Sequence, residues 1–165
     1  RDEIVDFSDP YIVLQQRLLV AVGNSSITSA ADIQNGDFRV ATQKGTTNYE
    51  LAVELFGADK VDAYDEFAFS ISAVISGDAD AAIVDEEAGL GYMGANKDKV
   101  QLVGEGLQTD PLGFAFPEGS ALVDVVNKGL AHMDSNGKLQ EINDKFFSPG
   151  FTVSYDDIAD VTYDE

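Results

Sequence analysis

Apolar residues along this chain follow two alternating patterns. Short runs rich in apolar and β-branched residues recur at 18–22, 38–42, 61–64, 79–84, 100–103 and 112–116, and their length predicts strands. Between several of them lie helical stripes. Leu51/Leu55 and Ala52/Phe56 fall at i,i+4 after the turn Lys44-Gly45-Thr46-Thr47, and Gly57 stops them. Phe67, Ile71, Val74 and Ile75 make one helical face closed by Gly77, and a further helix follows residue 84 to about Gly94. Ser29-Ala30-Ala31-Asp32 has capping-box spacing and opens a short helix ending near Asn35-Gly36. This alternation predicts an α/β fold with a largely parallel sheet. The pattern changes after Phe116. Leu122, Val125, Val126, Leu130 and Met133 form one stripe, Asn136-Gly137 breaks it, and Leu139, Ile142 and Phe146 form another. Two consecutive helices without an intervening strand point to a different packing environment. No repeat and no Pro/Ser linker divides the chain.

Composition narrows the partners. Thirty acids against ten bases give a formal charge of -20, which argues against nucleic acid or an anionic membrane surface. The acidity reads first as solubility outside the cell or adaptation to salt, and second as a binding face for a cationic partner; no acidic block dominates before the tail at 156–165. The absence of cysteine rules out disulfides, thiol catalysis and cysteine-held metals. The apolar runs are strand-sized, far short of the ~20 residues a membrane helix needs.

Three segments carry candidate chemistry. Gln43-Lys44-Gly45-Thr46-Thr47 joins a strand to a helix, where free N–H groups and threonine hydroxyls suit a carboxylate or phosphate. Taken alone, either threonine serves as readily to cap its own helix. The spacing is not that of a P-loop. In Asp80-Ala81-Ala82-Ile83-Val84-Asp85 the last carboxylate stands where a strand gives way to a helix, the edge at which open α/β sheets bind ligands. It suits an ammonium group, or equally a helix cap. A calcium loop is disfavoured, because the centre of the segment is apolar and the EF-hand glycine is absent. Arg1 can fork onto a carboxylate, although an N-terminal arginine is most often simply solvated. His132 is the sole histidine, sits in a late helix, and supports no catalytic triad.

In order and spacing, five segments resemble the solute-binding protein family 3, the type II periplasmic binding proteins of polar amino acid transporters. They run from Arg1 through Ile4-Val5-Asp6-Phe7-Ser8-Asp9-Pro10-Tyr11, then residues 40–47, 79–85, 112–120 and 136–147. The resemblance implies two α/β lobes that close on a ligand about two crossing strands. Residues 1–10 would be a remnant of lobe 1, 11–112 the hinge strands and a complete doubly wound lobe 2, 113–147 C-terminal helices of lobe 1, and 148–165 an acidic tail. The start of lobe 1 is expected to be missing, so the chain reads as a fragment.

The resemblance also implies roles. Arg1, with Thr46, Thr47 and the helix N-terminus, would hold the ligand α-carboxylate. Asp85 would hold the α-ammonium, and Gln43 and Val84 would touch the ligand side chain. No cofactor, metal or catalytic residue is implied. The expected protein is a non-enzymatic, extracytoplasmic receptor, periplasmic or a cell-surface lipoprotein, that binds a polar amino acid and delivers it to an ABC permease. Alternatives are a ligand-sensing module of a membrane receptor or lyase, or a cyclohexadienyl-dehydratase-like enzyme with Glu86 or Glu87 as acid. The stripe of Leu122, Val126, Leu130, Ile142 and Phe146 would lack its sheet, so dimerisation of the fragment or disorder of these helices is expected.

Overall fold

The computed structural model describes residues 4–96 and 98–147. Its centre is a five-stranded mixed sheet. Strand β2 spans Ile12–Ala21, β3 Val40–Gln43, β4 Val61–Tyr64, β5 Ala81–Asp85 and β6 Val100–Leu112, in the order β4-β3-β5-β2-β6. β3 is parallel to β4 and β5, whereas β2 is antiparallel to both β5 and β6. Four strands therefore share one direction and β2 alone is reversed. A two-stranded ribbon, β1 (Val5–Phe7) with β7 (Ala115–Pro117), stands apart from this sheet.

Helices cover both faces because successive strand residues point to opposite sides. On one face Leu18, Val20, Val40, Ala81 and Ile83 pack with α1 (Ala30–Asn35) and α2 (Thr47–Phe56) through Ile33, Leu51, Ala52 and Phe56. On the other, Leu19, Ala41, Ala82 and Val84 pack with α3 (Phe67–Ser76) and α4 (Glu86–Ala95) through Ile71, Val74, Tyr92 and Met93. Burying each large aliphatic side chain contributes about 1.5–3 kcal/mol. The two cores together hold the sheet.

The sequence-predicted ends of these elements shift modestly. α1 opens with the expected capping box at Ser29 and Asp32. α3 ends on Gly77 at φ 83°, a left-handed conformation that costs glycine nothing. One difference is larger. The runs 100–103 and 112–116 were expected as separate strands, yet β6 is continuous over thirteen residues. Its polar middle shows no apolar run, so pairing with β2 makes it a strand. Val103 faces Leu18 and Gln108 faces Gln16, so residues 104–107 bulge opposite Arg17. Gly104 supplies the positive φ of 68° there, and its carbonyl accepts a 2.6 Å hydrogen bond from the Arg17 guanidinium. Beyond the bulge, residues 12–16 pair antiparallel with 108–112.

The last two helices, α5 (Leu122–Ser135) and α6 (Lys138–Phe146), pack against each other away from the sheet. Asn143 ties α6 to the Tyr11 carbonyl at 3.0 Å, and Tyr11 stacks on Phe114 with centroids 4.8 Å apart. An open apolar groove of about 570 Å³ remains between them, lined by Tyr11, Phe114, Leu130, Leu139, Ile142 and Phe146. Both helices are formed within the single chain, so the disorder offered as one expectation is not what this structure shows.

Candidate functional site

The carboxyl ends of β3 and β5 open onto a cleft of about 510 Å³. Its near wall is the turn after β3 and the first residues of α2, namely Gln43, Gly45, Thr46, Thr47 and Asn48. Asp85 ends β5, and Asp110 to Leu112 come from β6. Phe7 and Phe67 add apolar surface. Among the described lining residues there is no lysine, arginine or histidine.

Asp85 is half-buried and receives the Asn48 amide at 3.3 Å. Burial pushes its carboxyl above the usual range, the Asn48 hydrogen bond partly offsets this, and the negative Asp110 adds to the rise. Thr46 is the N-cap of α2. Its hydroxyl donates to the Gln43 carbonyl at 2.7 Å and accepts from Tyr49 N–H at 3.3 Å. Thr47 donates to Asp110 at 2.7 Å while accepting the Gln16 amide at 3.1 Å. Gln16 is fully buried behind this pair. Tyr49 and Glu50 N–H already donate to Thr46, so the N–H groups of Thr47 and Asn48 are those that have no partner within the helix and lie at its positive dipole end. The cleft thus opposes a carboxylate to an N–H cradle, a layout that can satisfy a zwitterion.

Of the residues picked from sequence, Gln43, Thr46, Thr47 and Asp85 line this one cleft. Arg1 lies outside the described residues. Val84 is fully buried in the core with Leu19 and Ala82 and does not line the cleft. Strand alternation is the reason, because Val84 points to the face opposite Asp85. The threonine hydroxyls also differ from expectation. Both protons are held by protein acceptors, so in this structure the backbone N–H groups remain as the anion cradle. Sequence reasoning missed Asn48, Asp110 and Gln16. Asn48 follows the threonine pair in the first turn, the only local signal. Asp110 and Gln16 meet the site solely because their strands are neighbours.

The family model described as bacterial extracellular solute-binding proteins, family 3, matches residues 1–149. The glutamine-binding protein GlnH of an ABC transporter in Bacillus subtilis (strain 168) is 34% identical over 147 residues, covering 88% of this chain and 53% of GlnH. The L-cystine-binding protein TcyJ of Escherichia coli (strain K12) is 32% identical over 155 residues, covering 92% of this chain and 57% of TcyJ. The chain thus spans about half the length of these relatives. Among solved structures, the ancestral amino acid-binding protein AncCDT-1, a precursor of cyclohexadienyl dehydratase, superimposes with TM-score 0.78 at 33% identity, over 90% of this chain and 64% of that one.

Proposed function

Because the chain belongs to the bacterial extracellular solute-binding proteins, family 3, we propose that it is part of an amino acid receptor serving an ABC permease. The observation that carries this reading is Asp85. It is a half-buried carboxylate at the end of β5, braced by Asn48 of the first turn of α2 and lining one cleft with that helix's N-terminus. Asp85 takes the ligand ammonium. The first N–H groups of α2, with Arg1, take the carboxylate, while Thr46 and Thr47 hold the turn that presents those N–H groups. Gln43 lies beside the ligand side chain. The glutamine and cystine named for two relatives support a polar amino acid as ligand.

In this proposal residues 11–15 and 108–112 are the crossing strands between two lobes, and the antiparallel pairing of 12–16 with 108–112 supports it. Residues 11–112 with their sheet make one jaw, and 1–10 and 113–147 belong to the other. Ligand caught by both jaws favours the closed form, which the permease recognises. The receptor works outside the cytoplasm, in a periplasm or as a cell-surface lipoprotein, and performs no chemistry. The relatives' names as binding proteins support this.

A second reading as a dehydratase draws on the likeness to AncCDT-1. Burial pushes the Glu87 carboxyl above its ordinary pKa, the direction an acid catalyst needs. It lines a separate recess with Ile12 and Gln140, however, and not the cleft. Calorimetry on the protein in its full natural length, with a panel of amino acids, tests the receptor reading. We expect binding that Asp85→Ala abolishes. No binding, or binding that the substitution leaves unchanged, sinks it. Turnover of prephenate or arogenate would instead establish the enzyme.

A further inference from the structure

Where the sheet ends and the crossing segments begin, the ladder between β2 and β6 is broken. Leu18 pairs with Val103 and Gln16 with Gln108, so Arg17 alone stands opposite residues 104–107. That is a larger excess than the single extra residue of an ordinary bulge. On its other side Arg17 still pairs with Val84 of β5. The bulged segment Gly104-Glu105-Gly106-Leu107 holds two glycines, which leave its backbone weakly restricted. Something other than ladder hydrogen bonds must hold it in one shape.

The Arg17 side chain does so. Its guanidinium donates to the Gly104 carbonyl and to Glu86 Oε1, each at 2.6 Å. The ion pair is partly shielded from water, with side chains 18% and 30% exposed. A guanidinium presents its donors in a fixed fork, so one side chain holds two acceptors in set directions. Glu86 opens α4 and directly follows Asp85. Arg17 therefore joins strand β2, the bulge of β6 and the corner that carries the ligand carboxylate. Gln16, the residue before it, points to the opposite face and holds Thr47, which holds Asp110. Consecutive residues thus tie one strand to both sides of the sheet.

We propose that Arg17 is a positioning residue that couples closure of the lobes to Asp85. This rests on the amino acid receptor reading and adds how the crossing strands act on the cleft. By clipping the bulge to the first residue of α4, Arg17 makes the end of the crossing and the Asp85 corner move as one body. Bending is then confined to residues 11–15 and 108–112, and closure brings Asp85 onto the ligand in register. Arg17 is not among the residues lining the cleft. Its loss therefore weakens the closed form without changing the first encounter, and the ligand leaves faster.

Stopped-flow binding and hydrogen exchange on the protein in its full natural length, with the amino acid that calorimetry finds tightest, test this. Arg17→Met should raise the dissociation rate about tenfold and leave the association rate within about twofold. Arg17→Lys, which keeps the charge but not the fork, should recover part of the loss. Lys138→Met, which removes an exposed cation paired with Glu141, should change neither rate. Without ligand, amide exchange in Arg17→Met should quicken at 104–107 and 86–88 and stay unchanged in α5. A dissociation rate equal to that of the native protein overturns the assignment but leaves the receptor. So does exchange that quickens uniformly, because that marks a general loss of stability. No binding of any amino acid by the native protein overturns both readings. If Arg17→Met does not fold, Glu86→Gln takes its place, and an unchanged dissociation rate there overturns the assignment.

Discussion

Asp85 sets two opposing pH dependences. Its folded pKa lies above the ordinary value, chiefly through burial and further through Asp110. For an acid raised in this way the ionised form is disfavoured by folding. Stability from this group is therefore fullest below the ordinary value and declines as pH rises through the raised one. Ligand binding runs the other way, since an ammonium needs the carboxylate ionised. Asp85→Asn should leave the neutral-pH melting temperature unchanged or higher while lowering amino acid affinity about 30-fold or more. Thermal melts and calorimetry across pH check this pair. A variant that melts markedly lower at neutral pH would show Asp85 to be structural. Asp85 and the threonine turn were legible because a polar residue ending an apolar run marks a strand edge. Val84 was expected at the ligand from the family resemblance, but strand alternation turns it into the core.

At the scale of elements, the crossing near residue 113 is tight. A Cβ on Gly113 would stand 2.7 Å from the Ser8 carbonyl oxygen. The Ser8 N–H also donates to the Phe114 carbonyl there at 2.9 Å, and the Ser8 hydroxyl accepts the Phe114 N–H at 2.9 Å. Backbone yields less readily than a side-chain tip. Gly113→Ala should therefore cost about 1–3 kcal/mol by urea denaturation. An unchanged midpoint would mean that this contact is loose. The helices and the strands β3, β4 and β5 followed from periodicity, whereas β1 was not expected. The long β6 did not, because its polar middle is a strand only through its pairing with β2.

Across the whole molecule, the apolar surface divides into sealed and open parts. The two faces of the sheet are covered by helices, whereas α5 and α6 enclose a groove open to solvent. Leu19 is fully buried, and Leu19→Ala should cost about 2–5 kcal/mol. Val125 on α5 is 62% exposed, and Val125→Ala should change stability by less than about 0.5 kcal/mol in this chain. Denaturant midpoints of both variants check this. Comparable losses would mean that the α5 face is covered in solution.

Local periodicity and punctuation in the sequence were enough for the α/β class, the alternation of helices and strands from β2 to β5, and the carboxylate and turn that open the cleft. Those signals act between residues a few positions apart, so a single chain displays them. Strand order, the reversed direction of β2 and the bulge opposite Arg17 came from the three-dimensional arrangement. So did the meeting of Gln16, Thr47 and Asp110, which are separated by 31 and 63 residues. Pairing and burial join positions far apart in the chain. Nothing local to Asp110 says that a threonine hydroxyl will point at it.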